Sequence, residues 1–268
     1  MDAIDRARRD LVVANRILAH QRVLDAYGHV SIRHPHDPTR HFLARSLSPG
    51  IIATDDIVEF THDGVPVGRE ARPLYLERFI HGAVYEARPD INAVLHAHAE
   101  DVLPFTISSV PFRPVIQNAG DMGASIPVWD IADNFGTDTD LLVRTVAQGR
   151  DLARTLSQNR LALMRSHGFI STGRTLNDLV RLSVFVPRNA RVLMAAMRLG
   201  GEIKGLHPGE IAARLAIDPE SPAMRRGWEF WATEAGCGDM LGGYAGGGRV
   251  GRRIPSWRHI ERQLWHTE

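Results

Sequence analysis

RPLYLERFIHGAVYEARPDINAVLHAHA, residues 72–99, is the stretch on which the reading of this chain turns. Its first half, residues 74–88, carries apolar residues at helical spacing and stops at Pro89, which predicts a helix. Its second half, residues 91–99, is apolar and rich in strand formers, which predicts a buried strand. A helix that turns directly into a buried strand is a building unit of an α/β fold. That strand ends in HAH, with His96 and His98 two residues apart. Alternate side chains of a strand share a face, so both imidazoles point the same way and can grip one transition metal. The same spacing also occurs on ordinary surfaces. Glu77 and His81 stand four apart on the predicted helix and share its face. They are either a carboxylate set beside the strand, as base or ligand, or a surface pair worth roughly 0.2–0.5 kcal/mol.

Outward from this unit, residues 2–25 read as an amphipathic helix stopped by Gly28, followed by strands at 29–33, 41–45 and 57–61. Beyond it, strands are expected at 113–117 and 125–129, and a helix at 139–157. A buried strand at 161–165 runs into SHG, and a short strand at 169–172 follows. His167 of that SHG stands where a strand end can deliver a third imidazole, or simply serves as a turn histidine bonded to backbone. A long helix is expected at 175–199, capped by Thr175 and kinked at Pro187. The other histidines, His20, His34, His36, His41, His62, His207, His259 and His266, read as solvent residues. Residues 236–251 are glycine-rich and suit a mobile segment or lid. The division expected is a catalytic domain over 1–205, with 206–268 a helical and Gly-rich appendage of the same domain.

Composition narrows the function. A chain of 268 residues is one large domain or two small ones. A net charge of +1 gives no sustained field for nucleic acid or anionic membranes. Residues 102–112 are the longest stretch free of charge, well short of the roughly 20 residues a membrane span needs. The start has no apolar signal core, so a cytoplasmic location is expected. Cys237 is the only cysteine, which excludes an intrachain disulfide and a Cys-rich zinc site. Lys204 is the only lysine and sits in a polar stretch, which argues against Schiff-base or pyridoxal-phosphate chemistry. No nucleotide cofactor is expected either.

Taken together, YGHVSIR (27–33), RSLSPG (45–50), residues 72–99 and LMRSHGFISTGRTLNDLV (163–180) resemble the class II aldolase/adducin-like family. The resemblance spans about residues 5–200 and implies an α/β fold, a three-layer α/β/α sandwich on a mostly antiparallel mixed sheet. It implies that His96, His98 and His167 hold a divalent metal, and that Glu77 is the catalytic acid/base. Manganese is the metal expected, with zinc, iron and cobalt as alternatives. The implied assembly is a homo-oligomer, a tetramer, with no nucleic acid or membrane partner.

Departures from the sugar-phosphate enzymes of the family point to a branch. His29 replaces their turn asparagine, and Tyr75 and Leu76 replace two phosphate-binding serines. The decarboxylase branch is the nearer likeness. The activity it implies is loss of carbon dioxide from a hydroxylated aromatic or pyridine (di)carboxylate, 3-hydroxy-2-methylpyridine-4,5-dicarboxylate first among them. In that reading Glu77 or His29 supplies the proton, Arg45 and Arg72 are candidates for a second substrate carboxylate, and Ser46 and Ser48 donate hydrogen bonds. Tyr244 of the glycine-rich segment is a candidate lid residue. Competing readings are a decarboxylase of aromatic ring-cleavage products, an aldolase or epimerase on a hydroxy-carbonyl substrate, a non-haem iron oxygenase, and a non-catalytic adducin-like binding module.

Overall fold

The computed structural model describes residues 2–241. In chain order the main elements are α1 (Ala3–His20), β1 (His29–Arg33), β2 (Arg40–Ala44), β3 (Ile57–Thr61), α2 (Arg78–Ala87) and β4 (Ala93–Ala97). Two short pieces, α3 (Leu103–Thr106) and β5 (Val128–Trp129), and a third, α4 (Ala132–Phe135), lead to α5 (Val146–Leu156). The strands β6 (Leu161–Met164) and β7 (Gly168–Gly173) precede α6 (Leu176–Leu199), α7 (Pro208–Leu215) and α8 (Pro222–Glu234).

Among the described residues seven strands form one sheet in the order β3-β2-β1-β4-β7-β6-β5. Every pairing is antiparallel except β5 with β6. Strand alternation sorts the side chains to two cores. On one face Ala93, Leu95 and Ala97 of β4 join Leu11, Ile17 and Leu18 of α1 and Leu179 and Leu182 of α6. On the other, Val94 of β4 and Ile170 of β7 pack with Ile80 and Val84 of α2 and Leu152 and Leu156 of α5. The result is the expected α/β/α sandwich on a mostly antiparallel mixed sheet. Trp231 and Ala232 of α8 enter the same core as α1 and α6. No helix among the described residues is long and apolar enough to cross a membrane.

Several expected elements are shorter than their sequence patterns. The helix expected over 74–88 begins at Arg78, with Glu77 at its N-cap. Tyr75 and Leu76 therefore lie in the approach to the helix, because the Tyr75 hydroxyl is tied to the Leu47 carbonyl. The first helix ends at His20 rather than 25, and the helix expected over 139–157 begins only at Val146. There a reciprocal box sets the start: the Thr145 side chain accepts from the Gln148 amide, and the Gln148 side chain accepts from Thr145. No strand forms at 113–117, where Val115 and Arg113 are bonded instead by the Asn189 side chain. Of 125–129 only Val128–Trp129 is strand. The last long helix keeps its Thr175 cap and runs through Pro187 to Leu199 without ending.

Candidate metal centre and adjoining cavity

Antiparallel pairing carries the HAH motif to the place where β1, β4 and β7 meet. His29 of β1 lies opposite His96 of β4, and Ala97 opposite Phe169 of β7. Two glycines make this approach close. A Cβ on Gly168 would lie 2.2 Å from the Ala97 carbonyl oxygen, and one on Gly28 3.0 Å from the His96 carbonyl oxygen. No side chain fits at Gly168, so the SHG turn can lay His167 beside His98. The preceding Ser166 takes a left-handed backbone, φ 56°, to complete the turn.

Four groups converge there. The ligand atoms of Glu77, His96, His98 and His167 all lie within 4.8 Å of one another. Glu77 Oε2 is 3.3 Å from His96 Nε2 and 3.6 Å from His167 Nε2. His96 Nε2 and His98 Nε2 are 2.9 Å apart.

The outer nitrogen of each ring indicates which tautomer is present. His96 Nδ1 faces the Phe169 carbonyl at 3.2 Å, and His167 Nδ1 the Leu141 carbonyl at 2.9 Å. His98 Nδ1 faces the Asp25 carboxylate at 3.2 Å. Carbonyls and carboxylates only accept, so each Nδ1 carries the proton and donates. All three Nε2 lone pairs are then turned inward toward Glu77. Lone pairs this close repel one another unless they share a cation. Three neutral imidazoles and a carboxylate, each ring steered by a second hydrogen bond, fit a divalent transition metal with positions left for substrate.

Electrostatics agree with that arrangement. Burial pushes the Glu77 carboxyl up, but His96, His167 and the Val143 amide outweigh it and bring it to about 2. Its Oε1 accepts from that amide at 3.0 Å. Burial lowers His167 to about 4 and also lowers His98, so both rings are neutral and able to ligate near pH 7.

Beside the cluster is a cavity of about 450 Å³, lined by His29, Glu77, His98 and His167 and walled by Tyr27, Tyr75, Leu76, Leu141 and Leu142. Ser46 and Ser166 add hydroxyls. The other expected contributors stand elsewhere. Arg45 is held by Asp56 at 2.7 Å, and Arg72 is spent on Glu70 at 2.6 Å and the Asp55 carbonyl, so neither reaches this cavity. Ser48 is not among the lining residues, its segment being turned into a short helical turn at Pro49–Ile51. Tyr244 lies outside the described residues. His41, expected in solvent, is fully buried against Phe60, His81 and Tyr85 because β2 lies inside the sheet between β1 and β3. Asp25 and the leucines of 141–142 carry no sequence signal, and Tyr27 opens the YGHVSIR motif without being marked there as a site residue; chain folding brings them here.

The α/β/α sandwich gathers three histidines and a carboxylate at one sheet end in an arrangement that could hold a metal ion. The chain belongs to the class II aldolase and adducin N-terminal domain family, whose pattern matches residues 9–194. It is 34% identical to Decarboxylase tropJ of Talaromyces stipitatus, across 87% of this chain and 95% of that protein. It is 26% identical to the 3,4-dihydroxyphthalate decarboxylase of Arthrobacter keyseri, across 77% of this chain and 85% of that one. Among solved structures, an aldolase II superfamily protein from Pseudomonas syringae superposes with a TM-score of 0.73 at 20% identity, over 90% of this chain and 96% of that one. The L-fuculose 1-phosphate aldolase from Glaciozyma antarctica superposes with a TM-score of 0.66 at 19% identity, over 88% and 90%. At these identities the two structures bear on the fold alone.

Proposed function

We propose that this protein is a divalent-metal-dependent decarboxylase of hydroxylated aromatic carboxylates. The observation that carries the reading is the set of three inward Nε2 lone pairs and one carboxylate at the edge of a cavity with aromatic and leucine walls. Flat apolar walls suit a ring, and the polar cluster at one end suits its hydroxyl and carboxylate. The names of the two related decarboxylases support the same reaction class.

A metal held by His96, His98 and His167 would supply Lewis-acid stabilisation of negative charge on a substrate oxygen. The chain's own groups do the proton work. Glu77 begins ionised and accepts the proton of the ring hydroxyl. It then delivers that proton to the ring carbon bearing the carboxylate. The carbon–carbon bond breaks, its electron pair returns to the ring, and carbon dioxide leaves. The resulting phenolate takes one proton from water, so each turnover consumes one proton. His29, whose ring also lines the cavity, donates a hydrogen bond to a substrate oxygen. Leu76 and Tyr75, in place of small hydroxyl donors, favour a ring over a sugar phosphate.

The finer parts of the proposal are a pyridine dicarboxylate such as 3-hydroxy-2-methylpyridine-4,5-dicarboxylate as substrate, manganese as metal, a cytoplasmic location and a homotetrameric assembly. A second substrate carboxylate would meet the hydroxyls of Ser46, Ser166 and Tyr27, since Arg45 and Arg72 are engaged elsewhere. The test is carbon dioxide release from a panel of hydroxylated benzene and pyridine carboxylates by protein loaded with Mn²⁺. Glu77→Gln is expected to lower turnover by about 10²–10⁴. Aldehyde formation from hydroxy-carbonyl substrates without carbon dioxide release, or a Glu77→Gln variant with normal turnover, would overturn the proposal.

A further inference from the structure

Behind His29 lies an unbroken line of hydrogen bonds through the core. His29 Nδ1 is 2.7 Å from His81 Nε2. His81 Nδ1 is 2.7 Å from Ser31 Oγ, and Ser31 Oγ is 2.8 Å from the Tyr85 hydroxyl. All four side chains are buried. The topology explains the line: His29 and Ser31 are alternate residues of β1 on one face, and His81 and Tyr85 are one turn apart on α2, which covers that face.

The far end sets the direction of every proton. Among the described residues, Ser31 Oγ is the side-chain acceptor hydrogen-bonded to the Tyr85 hydroxyl. Leaving that O–H unpaired in the core would cost about 1–3 kcal/mol, so Tyr85 donates to Ser31. Ser31 has one proton and directs it to His81 Nδ1. His81 must then carry its own proton on Nε2 and donate it to His29 Nδ1. His29 is left with its proton on Nε2, the nitrogen that has no protein partner among the described residues. Each ring in this line accepts a hydrogen bond at one nitrogen and therefore carries its single proton on the other, so the line chooses between two tautomers.

We infer that Tyr85, Ser31 and His81 are positioning residues that lock His29 in the Nε2–H tautomer, so that it presents a fixed hydrogen-bond donor to an anionic oxygen of the substrate. The opposite tautomer would offer a lone pair and repel a carboxylate or phenolate. The device selects acidic aromatic substrates without adding a formal positive charge to the cavity. This inference rests on the proposed decarboxylase reading for its substrate class, but not for the tautomer.

The test separates the two. Nitrogen-15 NMR of the imidazoles, on the full chain without substrate, is expected to show His29 protonated on Nε2 and bare on Nδ1. Ser31→Ala and His81→Leu are expected to convert that signal to a mixture, and His81→Gln, whose amide can donate to His29 Nδ1, to restore it. Metal content is expected to stay unchanged in all three. With substrate, Ser31→Ala should lower kcat/KM by about tenfold, and His81→Gln should recover most of what His81→Leu loses. Should His81→Leu fail to fold, Ser31→Ala and Tyr85→Phe, each removing one hydroxyl, read the same lock. A His29 protonated on Nδ1 in the parent, or a signal unmoved by Ser31→Ala, would overturn the inference. Absence of carbon dioxide release with an intact tautomer pattern would overturn the function and leave the lock standing.

Discussion

His96, His98 and His167 gather at the cavity edge, while His29, His81 and His41 line the sheet face covered by α2 a few ångströms away. In the first group each ring gives its Nδ1 proton to a neighbour outside the group, so the Nε2 atoms turn inward as lone pairs. In the second, His29 and His81 are linked to each other, proton to lone pair. His41 lies beyond them with neither ring nitrogen bonded to protein among the described residues. The lesson is that an imidazole's use is set by what its second nitrogen touches, and not by its neighbourhood or its count in the sequence.

The largest test of this contrast is His96→Ala. It removes one of three inward lone pairs and leaves the other row of histidines intact. Bound metal is expected to fall from one equivalent to near none by elemental analysis, with turnover reduced to background. Full metal content in that variant would erase the distinction between the two groups. A smaller effect is expected from Asp25→Asn, which meets His98 only at its outer nitrogen and keeps an oxygen for the Tyr27 and Gly28 amides. Metal affinity should drop about 10–100-fold in a chelator competition, with the fold unchanged. An unchanged affinity would mean that the outer hydrogen bond does not steer the ring.

The smallest effect concerns the buried side. His41→Leu removes an imidazole held in the core without hydrogen bonds to protein, and should stabilise the chain by about 1–3 kcal/mol in urea unfolding near pH 7.5. Its pH dependence has a definite sign. Burial holds His41 well below 6.5 in the folded protein, so below pH 6.5 the unfolded chain binds the proton first and the parent loses stability as pH falls. His41→Leu should shed that part of the acid sensitivity, and equal acid sensitivity in both proteins would place its origin elsewhere.

Much of the site was legible from residues 72–99 and 163–180. HAH needs only strand alternation to put two rings on one face, and the SHG turn needs only its glycine to come close to that strand. Other parts were not legible. Glu77 reads from sequence as a residue within the 74–88 helix and stands at the N-cap, because Tyr75 ties the preceding segment to Leu47 before the helix can begin. His41 reads from sequence as a solvent residue in a loop or on a polar face; only the strand order shows its strand flanked by β1 and β3.

The sequence alone determined the alternation that puts His96 and His98 on one face, and it supplied the motifs that resemble the fold family and offer His167 as a third imidazole. These follow from local periodicity and from motifs a few residues long. Tertiary structure alone decided that Asp25 steers His98, and that Tyr85 of α2 governs, through Ser31 and His81, a ring two residues from Ser31 on the same strand. Those outcomes depend on strand register and helix docking between segments tens of residues apart, and no local pattern encodes a hydrogen-bond partner at that separation.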